Sequence, residues 1–248
     1  MAAGVLTFFE EVGQFTTFAG RVLRALLTRP MLLETALQVK HVAFGSVSVV
    51  IFICSFIGAN VVVQGYQMLA VLGAGDMTGM FVGLAVVREL GPVMAGAMVG
   101  AKAGCEIAAE LAAMKLGQQI DALEVMSVDP YSYLVVPRVV GTILGMPLVL
   151  AFAIGSAIGS GYLVAVYQYG LNGYNFMEQL RVLLSFSDLI VAAIKCVTFG
   201  AVVGLIECYM GFYAKPGPTG VGEATNMAIV VGSIVIAWIN LVITGLAY

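Results

Sequence analysis

Five long apolar runs, separated by short polar stretches, dominate the sequence after residue 41. Each run has the ~20 or more residues that a helix needs to cross the hydrocarbon core of a bilayer. The pattern therefore predicts an all-α integral membrane protein with five transmembrane helices. We place the spans at Val42–Leu72, Thr78–Cys105, Leu134–Tyr167, Leu189–Tyr213 and Ala224–Tyr248. Pro137 and Pro147 predict a kink or a tilt in the third span.

The first 30 residues follow a different pattern. Apolar residues recur at helical spacing between Val5 and Leu26, while acidic, amide and arginine side chains fall between them. This is typical of an amphipathic helix that lies in the membrane interface instead of crossing it. Pro30 is expected to end the helix. We therefore treat residues 1–41 as an interfacial helix with its connector, and residues 42–248 as the membrane domain.

The longest charge-bearing interruption runs from Lys102 to Arg138, between the second and third spans. It predicts two short helices divided by Gly117, the second at residues 118–127, with Asp129-Pro130 as a stop signal. The apolar side chains expected on the shared faces of these helices are Ile107, Leu111, Met114, Ile120 and Leu123. The pattern suits docking to a soluble partner, and it fits an ordinary interfacial loop equally well.

Composition agrees with a membrane location. Of the 248 residues, 61% are hydrophobic and only 10% are charged, where soluble domains carry about 25% charged residues. The four cysteines lack metal-ligand spacing, and we expect them to be small buried residues. His41, the one histidine, is expected at a membrane interface. We predict no metal site and no nucleic-acid partner.

Lysine and arginine indicate the orientation. With a cytoplasmic N-terminus, eight of the 11 basic residues lie at cytoplasmic ends of helices. Arg181 then lies in an outer loop, and Arg88 and Lys195 fall inside spans. By the positive-inside rule, this bias puts Lys102–Arg138 in the cytoplasm and the C-terminus outside.

Polar side chains inside the spans are the candidate functional groups, because they are costly in hydrocarbon. They are Asn60, Gln64 and Gln67 at positions i, i+4 and i+7 of the first span, Arg88 and Glu89 in the second, and Lys195 in the fourth. Counted at ~1.5 Å per residue, Gln64, Glu89 and Lys195 lie roughly 10–16 Å from the outer ends of their helices. Two interpretations stay open: these groups line a cavity, or Arg88, Glu89 and Lys195 satisfy one another and stabilise the bundle.

Three further expectations concern the interior of the spans. Pro92 is expected to interrupt the second helix just past Glu89. Glu207 is expected to snorkel to the interface from the inner end of the fourth span. The small-residue pairs of the third span are expected to allow close helix packing; they are Gly141/Gly145 and Gly155/Gly159.

Several motifs carry a resemblance to a known family. They are RELGPV (88–93), AAEL (108–111), MK (114–115), QIDALEVM (119–126), VDP (128–130), VVPR (135–138) and GVGEAT (220–225). From about Val42 to Tyr248 the chain resembles the MlaE/YrbE family of ABC-transporter permeases. These are membrane subunits of the Mla and Mce lipid-transport systems and of the related chloroplast lipid importer. It departs from the family at Ala101-Lys102, usually Gly-Arg, and at Gln118, usually Glu.

The resemblance implies partners as well as a fold. It implies a pair of identical or related permeases, a cytoplasmic ABC ATPase that docks on the coupling helix between the second and third spans, and an external MCE-domain lipid-binding protein. It implies a lipid cavity between the permeases, open to the outer face. The residues that it implies at or near the cavity are Gln64, Tyr66, Glu89 and Lys195, and the polar positions of the spans add Asn60 and Arg88 to this predicted set. Those that it implies at the ATPase contact are Glu110, Asp121, Leu123, Glu124 and Met126, and the charged positions of the same stretch add Glu106 and Lys115.

The resemblance implies a non-catalytic permease of the bacterial inner membrane that moves phospholipid or a related hydrophobic molecule. The chain contains no G-x-x-x-x-G-K-[ST] motif, and GPTGVG (217–222) lacks the lysine. We therefore expect no cofactor in this chain, and ATP and Mg²⁺ on the partner ATPase. The alternatives are a secondary transporter or channel that uses Glu89 and Lys195, and a purely structural scaffold.

Overall fold

The regular structure of the chain is helical wherever it is described. The computed structural model describes the backbone of residues 2–28 and 32–247, and the side chains of residues 12–26 and 32–247. The helices are α1 (Ala2–Thr28), α2 (Leu32–Val71), α3 (Thr78–Gly83), α4 (Gly91–Val99), α5 (Cys105–Leu116), α6 (Gln119–Val125), α7 (Val136–Tyr167), α8 (Gly173–Leu183), α9 (Phe186–Phe212) and α10 (Pro218–Ala247).

Five of the helical segments are long and apolar enough to cross a membrane. They are Leu32–Val71, Gly75–Leu116, Tyr131–Tyr167, Phe186–Phe212 and Pro218–Ala247, called here the first to fifth spans. The prediction of an all-α protein with five spans is confirmed. The second span is a composite, in which π-helical turns at Leu84–Leu90 and Gly100–Gly104 join α3, α4 and α5.

Two predicted boundaries were wrong because helices continue past the apolar core. Residues 32–41, predicted as a connector, are the first turns of α2. The helix expected before Gly117 as a separate element is α5, which forms the last turns of the second span. The interruption expected near Pro92 is a change of helix type without a break in the span: a π-helical turn ends at Leu90, and α4, which carries Pro92 in its first turn, begins at Gly91.

Glycines set the distance between the first and third spans. Gly58 of α2 lies so close to α7 that a Cβ there would be 2.0 Å from a backbone carbonyl oxygen. Gly141 and Gly145 of α7 are in similar close contact with α2, as predicted. Gly155 and Gly159 were also expected to pack, and they instead face open space within the chain. This packing fixes which side of α2 points into the bundle.

Basic residues gather at one end of the bundle, called here the basic end. It holds the start of α2, the hairpin of α5 and α6, and the turn between α9 and α10. The described basic residues there are Arg21, Arg24, Lys40, Lys102, Lys115, Arg138 and Lys215. Successive spans run in alternating directions between this end and the opposite end of the bundle.

The opposite end contains a helix where the sequence predicted only a loop. α8 carries Arg181, and the side chain of Asn172 caps its N-terminus by accepting the backbone N–H of Tyr174 at 2.9 Å. Phe176 and Leu180, four residues apart on one face, are buried against the second and third spans. These two apolar residues and the Asn172 cap are the signals that would have predicted α8.

At the basic end, α1 is joined to the bundle by aromatic side chains. Phe18 is fully buried among the rings of Tyr131, Tyr209, Phe212 and Tyr213. Burial and a hydrogen bond with Tyr131 raise the pKa of Tyr213 to about 12. The helical prediction for residues 1–30 is confirmed over Ala2–Thr28. The predicted apolar positions before Val12, and Arg29 and Pro30, lie outside the described side chains.

Candidate functional site

A cluster of polar side chains lies inside the spans, and Lys195 of α9 is at its centre. The Lys195 side chain is 0% exposed. Its ammonium donates to the Arg88 carbonyl oxygen at 2.7 Å, to Glu89 Oε1 at 3.1 Å and to Thr244 Oγ1 at 2.7 Å. Pro92 has no N–H to donate to the carbonyl four residues before it, which is that of Arg88. Lys195 therefore gives the Arg88 carbonyl oxygen a donor that Pro92 cannot supply, and all three of the lysine's donors are used.

Glu89 is the most exposed of the four charged side chains in this cluster. Its Oε1 accepts hydrogen bonds from Lys195 and from Thr244 Oγ1 at 2.8 Å, and its Oε2 accepts from Asn240 Nδ2 at 2.7 Å. The Glu89 side chain is nevertheless 37% exposed. Three spans thus hold the carboxylate in a fixed position, with one side open to whatever lies next to the chain.

Arg88 has a different partner from the one the sequence suggested. Its Nε lies 3.0 Å from Oδ1 of Asp188 at the start of α9. Asp188 Oδ2 also accepts the backbone N–H of Ser185 at 3.0 Å, which completes a capping box at the N-terminus of α9. The expectation that Arg88, Glu89 and Lys195 satisfy one another was therefore wrong for Arg88. The two ion pairs have formal charges that sum to zero.

Three side chains of this cluster were missed by sequence reasoning. Asn240 and Thr244 lie four residues apart in the fifth span, so their spacing places them on one helical face. Asp188 was missed because it lies just before the predicted fourth span, which was placed at Leu189–Tyr213. Polar spacing in the last span and a capping-box pattern before the fourth were the available signals.

Three of the side chains predicted at the same cavity lie elsewhere on the chain surface. Asn60 and Gln64 are exposed on the side of α2 that faces away from α7, and no hydrogen bond joins them to Glu89 among the described residues. The ring of Tyr66 packs on Tyr169, with centroids 4.1 Å apart, near the opposite end. Within this chain, the structure brings together only Arg88, Glu89 and Lys195 of the predicted cavity set.

The residues predicted at the ATPase contact fall into two groups. Glu106 pairs with His41, at 3.0 Å, and with Lys102. Glu110 accepts a hydrogen bond from the buried Arg138 at 3.1 Å. These carboxylates join the end of the second span to its neighbours, so they are engaged within the bundle.

The second group lies on the hairpin of α5 and α6. Lys115 donates to Asp121 at 2.7 Å across the turn, where Gln118 adopts the left-handed conformation at φ 55°. Ile120 is buried, and Leu123 packs on the core from a half-buried position. The predicted faces of the two helices are therefore confirmed for these apolar residues.

Large apolar side chains are exposed at the end of this hairpin. Val125 is 86% exposed and Met126 is 72% exposed, and Leu116 beside the turn is also exposed. Glu124 is exposed between them. An exposed apolar surface rimmed by charge is typical of a protein-protein contact.

Glu207 is buried, and the prediction that it snorkels was wrong. Its side chain is 1% exposed in the fourth span, and Oε2 has no hydrogen-bond partner in the described part of the chain. The carboxyl group lies against Gly100 and Gly104, where a Cβ on Gly104 would be 1.5 Å from Glu207 Oε1. The absence of side chains at these glycines creates the space that the carboxyl group occupies.

Cysteine and acidic residues form no metal cluster among the described residues. Cys54, Cys196 and Cys208 are buried free thiols, and Cys105 is half-buried. The prediction that the cysteines are small buried residues is confirmed for the first three.

Comparison with known proteins identifies the family. Residues 35–246 match the family described as Permease MlaE. The chain belongs to the MlaE permease family. It is 36% identical over 246 residues to a probable ABC transporter permease protein of Rickettsia typhi, covering 98% of this chain and 94% of the relative. It is 31% identical over 250 residues to the intermembrane phospholipid transport system permease protein MlaE of Haemophilus influenzae, covering 98% and 94%.

A plant relative extends the comparison. The chain is 30% identical over 209 residues to the chloroplastic protein TRIGALACTOSYLDIACYLGLYCEROL 1 of Arabidopsis thaliana, covering 84% of this chain and 60% of that protein. The match to Permease MlaE reaches all five spans and contains the α5–α6 hairpin.

Proposed function

We propose that this MlaE family chain is the permease subunit of an ABC transporter that moves phospholipid between a bacterial inner membrane and an external MCE-domain protein. The observation that carries the proposal is the family match over residues 35–246, which reaches all five spans. A relative with the same coverage bears the name of an intermembrane phospholipid transport permease. The chain itself is non-catalytic in this proposal, and ATP with Mg²⁺ binds to a separate ATPase.

The proposed ATPase contact is the exposed end of the α5–α6 hairpin. Support comes from Val125 and Met126, which expose large apolar surfaces to water at the basic end, and from the exposed acidic groups of Asp121 and Glu124. The basic end is cytoplasmic in this proposal, with the C-terminus outside, because loop lysines and arginines favour the cytoplasm. Closure of the ATPase would push this hairpin and, through the continuous second span, the segment that carries Glu89.

The proposed lipid contact is the open side of Glu89. The carboxylate is fixed by three spans and still 37% exposed, so it offers an oriented polar group among apolar walls. The exposed amides of Asn60 and Gln64 are costly in hydrocarbon and suit a polar headgroup or a water-filled cavity. A second permease copy would enclose these groups, since the chain alone leaves them open.

Docking can be tested with matched serine variants. Val125→Ser with Met126→Ser should reduce co-purification of the ATPase with the membrane-inserted chain roughly tenfold or more, because interface anchors often cost over 1.4 kcal/mol when truncated. The control is Val71→Ser with Met77→Ser at the opposite end, where Val71 is 87% exposed and Met77 is 55% exposed. Unchanged ATPase recovery with the first pair would contradict the docking proposal.

The lipid site can be tested by separating charge from structure. Glu89→Gln alone leaves the buried Lys195 charge unpaired. Removing one partner of a buried ion pair destabilises the folded protein by about 3–5 kcal/mol. Glu89→Gln with Lys195→Met removes both charges and should restore most of this stability, although the Arg88 carbonyl oxygen loses the donor that Lys195 supplies. If Glu89 contacts the headgroup, ATP-driven lipid transfer by the reconstituted complex stays low in this double variant. Recovery of transfer would assign the pair a structural role only, and transfer that does not depend on ATP would favour a secondary transporter.

A further inference from the structure

An apolar groove lies at the basic end, away from the Glu89 cluster. Its volume is about 730 Å³, and it runs between α1, the second half of α9 and the first half of α10. On α10 the lining extends from Gly220 to Val235, which is about 22 Å at 1.5 Å per residue. The Glu89 partners Asn240 and Thr244 lie beyond this range, nearer the other end of the same helix.

The polarity of the cavity changes along its length. Val202, Val231 and Val235 line the part within the spans, and the charged side chains of Lys215 and Glu223 lie at the rim. These two charges are 2.9 Å apart and largely exposed. An apolar cleft with a polar end matches an amphiphile that keeps its head at the membrane surface.

The length and the apolar walls of the groove suit a hydrocarbon chain. The groove has a volume of about 730 Å³ and follows α10 for about 22 Å. A hydrocarbon chain is thin enough for this space, and apolar walls give water few partners.

The charges at the rim select the headgroup. A lysine and a glutamate side by side complement a zwitterionic headgroup, because phosphate can accept from Lys215 while an amine donates to Glu223. A headgroup with phosphate alone would leave Glu223 repelling it. We infer that the groove between α1, α9 and α10 binds one phospholipid of the adjacent leaflet, with an acyl chain along Val231 and a primary-amine headgroup at Lys215 and Glu223.

This inference goes beyond the proposed function and does not depend on it, because binding here needs no ATPase. Neighbouring valines of α10 give a matched pair for the test. Val231 lines the groove, and Val230 points away from it and is 53% exposed. Val231→Phe should reduce the phospholipid retained by the mildly solubilised full chain by roughly one molecule, as counted by native mass spectrometry. Val230→Phe should retain the wild-type number.

A surface variant tests the headgroup and is independent of core packing. Lys215→Met with Glu223→Gln should weaken retention of phosphatidylethanolamine relative to phosphatidylglycerol about tenfold, in competition between the two lipids. A photoactivatable phosphatidylethanolamine should label the peptide at residues 220–235 in the wild type and not in Val231→Phe. Equal lipid retention by the folded Val231→Phe and Val230→Phe variants would overturn the site. A change in oligomeric state instead of lipid content in Val231→Phe would assign the groove to a second copy.

Discussion

The contact between Gly104 and Glu207 predicts that Gly104→Ala destabilises the wild-type chain and does not destabilise a chain without the Glu207 carboxyl group. Gly104 has helical dihedral angles, with φ −69° and ψ −41°, so alanine suits its backbone. Its Cβ, however, would lie 1.5 Å from Glu207 Oε1 and 1.8 Å from the carboxyl carbon. Ordinary contact between heavy atoms needs about 3.5 Å, so the carboxyl group must move by about 2 Å.

The surroundings of Glu207 make this movement costly. The side chain is 1% exposed, and its carboxyl group is also 3.4 Å from the position of a Cβ on Gly100. Forcing extra atoms into a packed interior costs about 1–3 kcal/mol. We expect Gly104→Ala to destabilise the chain by about 2 kcal/mol, which is roughly 4–8 °C in Tm for a chain of this size.

Removing the carboxyl group should reverse the effect. In a Glu207→Ala background the same Gly104→Ala change meets no carboxyl group, and alanine in a helix is favoured over glycine by about 1 kcal/mol. The change should then be neutral or stabilising. The control is Gly155→Ala in α7, where a Cβ meets nothing within 4 Å, and this change should have one sign in both backgrounds.

The measurement is thermal unfolding of the four variants of the cycle in the same detergent, followed by size-exclusion chromatography of the soluble fraction. A coupling free energy of about 2–3 kcal/mol between the two positions is expected, within the range for residues in contact. Equal destabilisation by Gly104→Ala in both backgrounds would refute the assignment of the glycines as the space for Glu207.

Three further outcomes follow from other contacts. Gly58→Ala should destabilise by more than about 2 kcal/mol in thermal unfolding, because the atom that it meets at 2.0 Å is a backbone oxygen; a smaller cost would mean that the helices separate easily. Asp188→Asn should lower Tm more than Ser185→Ala, because it weakens the Arg88 ion pair as well as the capping box; equal effects would reduce Asp188 to a cap. Tyr213 has a raised pKa of about 12, so its stabilising contribution is complete below its unfolded pKa of ~10 and is lost as pH rises to about 12. Tyr213→Phe should remove this loss of stability at alkaline pH. It should also remove one phenol that ionises at high pH from the ultraviolet absorbance titration.

The spans were predictable because each contains a long apolar run that is visible in the sequence. The ends of the spans were not predictable. Glu106 and Glu110 suggested a break after the second span, since isolated carboxylates are costly in lipid. In the fold they pair with His41 and Arg138, which come from other spans. Those partners allow the helix to continue to Leu116. A charged residue therefore indicates the end of a span only where no other span offers it a partner.

The depth of polar groups was predictable, and the rotation of each helix was not. Counting residues placed Glu89 and Lys195 at similar depth, and they are hydrogen bonded at 3.1 Å. The same count placed Gln64 beside them, but α2 turns Gln64 outward. The rotation is set by Gly58, which must face α7 because no larger residue fits there. The helical period therefore predicted that the polar side chains share one face of α2. The close contact between Gly58 and α7 determines the direction in which that face points.

The outward stripe has a consequence for the state of the chain in the membrane. Asn60, Gln64 and Gln67 are exposed on the apolar second half of α2, and Glu89 is open on one side. Each amide left without a partner in hydrocarbon costs several kcal/mol. Such a cost is removed when the groups face water, a lipid headgroup or another protein. A single copy surrounded by lipid tails is therefore the least favourable state, and in the proposed function this stripe contacts the partner permease or the lipid headgroup.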